Sequence, residues 1–199
     1  EKKKEIEPTW VYRQDLENRD RIVLAKPQKP TWLYPQLNKQ GTHVLYNRKE
    51  LHPKGEQYWL VDIEGEEDRE ILNFGPKAKV EALWLPDGQR VGFITETKNG
   101  KAQKYYSLGI YNTQTEEITW LIDNPERNIE RIHSPVNSHH LVVLEYQKAT
   151  VKPSIIDLTT MKEKLLTKIK GSLVPIGPVT DEEWVGLYYS STQPHEIIK

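Results

Sequence analysis

The chain has 199 residues, 36% of them hydrophobic and 29% charged, which is enough for one large domain or two small ones. Its 28 basic and 29 acidic residues nearly cancel, which argues against a dedicated nucleic-acid-binding protein with a basic surface. The sequence contains no cysteine, so disulfides, thiol catalysis and thiolate-bound metals are excluded.

The sequence also lacks the pattern of a membrane or export segment. No apolar run approaches the roughly 20 residues that a membrane-spanning helix needs, and no secretory leader is visible. We therefore expect no membrane span and a cytoplasmic location. Because exported proteins can also lack cysteine, an exported mature chain is the alternative.

The first 30 residues differ from the rest of the chain. After a charged start, strand patterns occur at residues 9–12 and 21–25. Two prolines in residues 26–30 then interrupt the pattern. The prediction is an N-terminal segment, residues 1–30, with one or two strands, followed by a separate region over residues 31–199.

Residues 31–199 repeat a pattern of four short strands separated by turns. The strand that begins at Val44 recurs at Val91, Leu141 and Val185, with a period of roughly 40–50 residues. Four-stranded antiparallel units at this period are typical of β-propeller blades, each of which needs a neighbour to cover its faces. The predicted blades cover residues 31–75, 76–123, 124–170 and, in part, 171–199.

An all-β sandwich is the alternative architecture, because turns spaced by about 8–12 residues fit both folds. The propeller is favoured because whole four-strand units recur with turns at matching positions. Residues 163–170 follow such a turn, and they predict the outer strand of a blade rather than a helix. About four blades are fewer than most closed propellers contain, so we expect an incomplete ring with an unpaired edge.

Two stretches resemble the propellers of TolB-like proteins and of the prolyl oligopeptidase family of serine peptidases. Residues 85–94 are similar to their Ser-Pro-Asp-Gly hairpin, in which proline, aspartate and glycine build the turn. Residues 185–198 are similar to the blade before the hydrolase domain, although Ile198 stands where an aromatic residue is common. The matching residues in this second stretch are Ser190, Ser191, Pro194 and Glu196.

In that family the propeller covers an α/β-hydrolase domain and restricts access to its Ser-Asp-His triad. This sequence has no Gly-x-Ser-x-Gly elbow, and Gly171-Ser172 lacks the second glycine. The resemblance therefore implies a non-catalytic propeller portion that gates and selects oligopeptides, with no catalytic residue and no cofactor of its own. It also implies an α/β-hydrolase domain beyond Lys199.

Two other functions stay open. The first is a stand-alone propeller that binds or scaffolds a protein partner. The second is an enzyme that acts through acidic residues of the blade loops, which requires turnover by this chain alone.

Acidic residues in the predicted turns are the candidate substrate-binding groups. Peptidases of this family that release dipeptides use propeller glutamates to hold the positively charged N-terminus of the substrate. By this resemblance, Asp181, Glu182 and Glu183 are the candidates, ahead of the acidic run at residues 64–68. The alternative is that charges in a turn only contact water.

Three histidines that are close in sequence raise the question of a metal site. His139 and His140 are adjacent, so on a strand their side chains point to opposite faces. No carboxylate accompanies them or His133 at the spacing of a metal motif. The prediction is a polar hairpin turn without a metal.

Tryptophans recur on the predicted strands of the first, second and fourth blades. Large rings at such positions usually fill the space between neighbouring blades, and this is the prediction. A platform that stacks a carbohydrate or a peptide is the alternative. The residues are Trp32, Trp59, Trp84, Trp120 and Trp184.

Overall fold

The computed structural model describes residues 9–29, 32–49, 55–123, 126–135, 137–166, 170–180 and 183–199. Every regular element in these ranges is a β-strand, so the predicted all-β class is confirmed. None of these ranges contains a helix that is long and apolar enough to cross a lipid bilayer.

The strands form an N-terminal hairpin followed by four antiparallel units. The hairpin consists of β1 (Val11–Gln14) and β2 (Arg21–Ala25). Unit one contains β3 (Gln36–Leu37), β4 (His43–Arg48), β5 (Gln57–Asp62) and β6 (Arg69–Leu72). Unit two contains β7 (Val80–Trp84), β8 (Arg90–Lys98), β9 (Lys101–Asn112) and β10 (Ile118–Ile122).

Units three and four continue the same order. Unit three contains β11 (Ile129–His133), β12 (His140–Gln147), β13 (Thr150–Asp157) and β14 (Lys162–Leu165). Unit four has three strands among the described residues, β15 (Ser172–Pro178), β16 (Trp184–Tyr189) and β17 (Glu196–Ile198). Within each unit the strands pair with their neighbours in sequence, so each unit is a meander. One further residue pair, Ile129 with Tyr106, joins β11 of unit three to β9 of unit two. The strand predicted within residues 163–170 corresponds to β14.

Polar side chains fix the turn between the first and second strands of units one to three. Asn38 Oδ1 accepts a hydrogen bond from the backbone N–H four residues further on, at 2.8 Å. Asp87 Oδ1 accepts from the N–H groups two and three residues on, both at 2.9 Å. Ser138 Oγ accepts from the N–H two residues on, at 3.1 Å. These local bonds explain why short polar residues recur at this turn.

The turn between the third and fourth strands repeats in the same way. The last residue of the third strand is Asp62, Asn112 or Asp157, and its side chain accepts hydrogen bonds from the following backbone. In units one to three this residue pairs with the first residue of the second strand, so both turns lie at the same end of the unit. The pairs are His43 with Asp62, Arg90 with Asn112, and His140 with Asp157.

Hydrophobic side chains fill the spaces between successive units. Units one and two share a cluster that includes Leu45, Leu72, Val91 and Phe93. Units two and three share a larger one that includes Leu85, Ile94, Leu141 and Ile156. The N-terminal hairpin packs Val11 and Leu24 against Val44, Tyr46 and Val61 of unit one. No unit could cover these faces alone, which is why the repeats stack.

A tight turn joins β8 and β9. The first strand runs up to Lys98 and the second starts at Lys101, so two residues connect them. Asn99 and Gly100 form a two-residue turn with φ values of 50° and 73°. Asn-Gly adopts such positive φ values readily, and these two-residue turns match the twist of the strands.

Candidate functional site

A cleft of about 710 Å³ opens at the end of the units where these turns lie. Unit one contributes Lys39 to it, and unit two contributes Trp84 and the turn that follows. Unit three contributes residues of both of its turns, including His139 and Thr159. The cleft is therefore built by equivalent turns of three successive units.

Hydrogen bonds between the units hold the walls of the cleft together. Asn38 Nδ2 donates to the carbonyl of Gly88 at 3.1 Å, and Trp84 Nε1 donates to the carbonyl of Gln36 at 2.9 Å. The guanidinium of Arg90 donates to the carbonyl of Leu158 in unit three at 3.3 Å. Each bond joins one unit to the next.

Asp87 and Arg90 form an ion pair in the wall of the cleft. Burial raises the pKa of Asp87, but hydrogen bonds from Gln89 and Arg90 outweigh it and hold the pKa below its usual value. Asp87 is therefore a carboxylate at neutral pH. Among the described lining residues Asp87 and Arg90 neutralise each other, which leaves Lys39 as the positive charge that can attract an anionic group.

In the sequence, the three predicted acidic candidates lie between the end of β15 and the start of β16. This turn of unit four is equivalent to the turns that line the cleft in units two and three. Asp181 and Glu182 lie outside the described residues. Glu183 is half exposed, its carboxylate lies 2.8 Å from Lys199 Nζ, and its backbone carbonyl closes the turn. A substrate-binding role for the three acids stays a prediction.

The prediction that His139 and His140 point to opposite faces is wrong. Their ring centroids are 4.1 Å apart with an interplanar angle of 34°. β12 begins at His140, so His139 lies in the turn before it, where strand alternation does not apply. The carboxylate of Asp157 lies 3.5 Å from His139 Nε2. Asp157 is distant from the histidines in the sequence, so their spacing did not predict it as a partner. The pairing of β12 with β13 brings its carboxylate beside them.

His133 is separate from this group. It is half buried at the end of β11, where burial lowers the pKa of its ring. The backbone groups of Pro175 and Ile176 in unit four partly offset that effect, so the ring faces the neighbouring unit. It is a packing residue between units three and four.

The tryptophans take different roles. The ring of Trp120 contacts Phe93 and Phe74 at centroid distances of 5.4 and 6.0 Å, filling the space between units two and one. Trp84 packs against the same cluster. The guanidinium of Arg48 lies over the ring of Trp59, and its Cζ atom is 3.7 Å from the centroid of that ring.

The other two of the five tryptophans named in the sequence analysis, Trp184 and Trp32, lie outside these hydrophobic clusters. Trp184 contacts the ring of His140 edge-on, at 5.2 Å between centroids. Trp32 is 83% exposed.

No protein family matches the sequence, and no curated protein matches it. Among solved structures, the chain is similar to a puromycin hydrolase mutant complexed with PGG, at 17% identity and a TM-score of 0.66 over 91% of this chain. It is similar to a structure from an analysis of two prolyl endopeptidases, at 13% identity and a TM-score of 0.72 over 96% of this chain. It is also similar to TolB from Acinetobacter baumannii, at 15% identity and a TM-score of 0.59 over 94% of this chain.

The chain has a β-propeller fold. The predicted resemblance to TolB-like and prolyl-oligopeptidase propellers is thereby confirmed at the level of the fold, and the four units are propeller blades. The chain spans 28% of the length of the two hydrolase structures and 47% of TolB. Because the identities are low and the coverage is partial, the activities of these proteins are not transferred to this chain.

Proposed function

We propose that these blades are the non-catalytic propeller portion of a prolyl-oligopeptidase-like serine peptidase. In this role they admit oligopeptides and select among them, and an α/β-hydrolase domain beyond Lys199 supplies the catalytic triad. The similarity to hydrolase propellers over more than nine-tenths of this chain supports the proposal. A propeller of this kind needs a surface that contacts the peptide.

The cleft is the observation that carries the proposal. Its wall combines the apolar surfaces of Trp84, Leu85 and Pro135 with the cations Lys39 and Arg90. Apolar walls with a few charged groups suit a peptide, whose side chains bury against the wall while a carboxylate pairs with a cation. The peptide groups expected here are a C-terminal carboxylate or an acidic side chain.

Binding of labelled oligopeptides of mixed sequence, followed by fluorescence anisotropy, tests this role. We expect saturable binding that weakens about 3- to 10-fold in the charge-reversal variant Lys39→Glu, because an exposed cation contributes modestly. Lys101→Glu is the matched control, since this exposed lysine lies at the far end of the β8–β9 hairpin. Unchanged binding in Lys39→Glu, or equal losses in both variants, would contradict peptide selection by the cleft.

A stand-alone module that binds a protein partner is the second candidate. The observation that favours it is a set of exposed aromatic side chains within the first 34 residues. Their exposed fractions are 47% for Trp10, 49% for Tyr12, 83% for Trp32 and 64% for Tyr34. In that case the labelled oligopeptides should not bind in the cleft.

A further inference from the structure

Three potential metal ligands meet at the cleft end of the third blade. His139, His140 and Asp157 each place one ligand atom within 4.8 Å of the other two. His139 Nε2 lies 3.5 Å from Asp157 Oδ2. His139 also lines the cleft, so the group is open to solvent and to small ions.

The backbone brings these side chains together through the register of two strands. His140 begins β12 and pairs with Asp157, which ends β13. The carbonyl of His139 accepts a hydrogen bond from the N–H of Leu158 at 2.9 Å, which extends the pairing by one residue on each strand. The turn therefore places the second histidine beside the carboxylate.

Hydrogen bonds also orient the individual ligands. Asp157 Oδ1 accepts from the N–H groups of Thr159 and Thr160 at 2.8 and 2.9 Å, and these bonds lower the pKa of Asp157. This carboxylate is therefore anionic, and its other oxygen is the one near His139. Ser138 Oγ lies 3.0 Å from His140 Nδ1, and a hydroxyl that accepts from Nδ1–H places the ring's lone pair on Nε2.

The distance between two of the three ligand atoms fits their coordination of one small ion. Nitrogen and oxygen ligands lie about 2.0–2.1 Å from zinc, so two ligands of one tetrahedral ion are roughly 3.4 Å apart. The distance of 3.5 Å between His139 and Asp157 already matches this value. Two imidazoles and one carboxylate form a known ligand set for zinc, and they leave a fourth position for water or another ligand.

The equivalent positions of the first two blades show what is particular to the third. In blade one His43 pairs with Asp62, but Thr42 stands where His139 stands in blade three. In blade two the pair is Arg90 with Asn112, which offers no anionic ligand. Among the described turns of these three blades, the third alone combines two imidazoles with a carboxylate.

We propose that His139, His140 and Asp157 bind one divalent transition-metal ion, and zinc, which is known to bind such a ligand set, is the ion used to test the site. The site lies at the edge of the cleft, where the open coordination position faces solvent. Its three ligands differ from the cation Lys39 proposed to contact the peptide in the same cleft, so the variants of the two tests are different and either proposal can fail without the other.

Titration of the chelator-treated chain with zinc chloride by isothermal calorimetry tests the site. We expect one zinc per chain, and cobalt(II) in its place should give visible absorption bands of a site with nitrogen and oxygen ligands. His139→Ala and Asp157→Asn should each weaken zinc binding by at least about tenfold, because each removes a ligand. The asparagine variant keeps the oxygen that caps the turn, so its fold should persist.

Two matched variants separate this site from other histidines and acids. Asp62→Asn changes the equivalent turn of blade one, and His195→Ala removes an imidazole that packs on Tyr189. Both should bind zinc as the unmodified chain does. Zinc should also raise the melting temperature of the unmodified chain but not that of His139→Ala. Non-saturable binding, or unchanged affinity in His139→Ala, would overturn the proposal.

Discussion

At the scale of single residues, short polar side chains shape the end of the molecule where the cleft opens. Asn38, Asp87 and Ser138 each hold the turn after the first strand of their blade by accepting backbone hydrogen bonds. Each turn is therefore set by its own sequence before the blades pack. The cleft inherits its shape from these turns, since residues of all three help to line it or lie beside those that do.

Asp87 allows a test of this local contribution through pH. Its folded-state pKa lies below the ordinary value of 3.8, so its ionised form stabilises the fold above that pH. The stabilisation is lost as the pH falls from 3.8 through the lower folded-state pKa. We expect Asp87→Asn to cost about 1 kcal/mol of unfolding free energy at pH 7 and progressively less below pH 3.8.

Urea unfolding at several pH values measures this difference. Asp20→Asn, at an exposed position between β1 and β2, is the control and should change the unfolding free energy little at any pH. A deficit of Asp87→Asn that stays constant down to pH 3 would contradict the role assigned to the carboxylate.

At the scale of elements, turn residues and strand alternation predict most of the hairpins. Asp87-Gly88 and Asn99-Gly100 mark turns because glycine accepts the positive φ that these positions adopt. The histidine group could not be predicted in this way. His139 precedes its strand, and Asp157 joins it only once β12 and β13 are in register. A register inferred from both turns of the hairpin could have paired His140 with Asp157.

The N-terminal hairpin is the element whose independence can be tested most simply. Leu24 on β2 is 5% exposed and packs against blade one, whereas Leu16 in the β1–β2 turn is 90% exposed. Leu24→Ala should therefore lower the unfolding free energy by about 2–4 kcal/mol, because it leaves a cavity. Leu16→Ala should change it by less than about 0.5 kcal/mol.

Chemical denaturation followed by tryptophan fluorescence measures both variants. The expected result is one cooperative transition that moves to lower denaturant only for Leu24→Ala. A separate early transition, with the blades unaffected by Leu24→Ala, would show that the hairpin is an independent unit instead.

At the scale of the whole molecule, the hydrophobic core and the cleft both depend on contacts between successive repeats. Each hydrophobic cluster joins two neighbouring elements, and the cleft is lined by three blades. The sequence predicted the repeats because their period is visible along the chain. It could not predict the cleft, because this depends on how the turns of different blades come together.

The central claim is that these blades serve a serine peptidase, and the size of the native gene product tests it most directly. An immunoblot of the source cells with antibodies against these blades, combined with a fluorophosphonate probe for serine hydrolases, gives the answer. We predict a band that the probe labels and that is much larger than a 199-residue chain. A stable product of about this chain's own size that the probe does not label would contradict the peptidase and favour a stand-alone binding module.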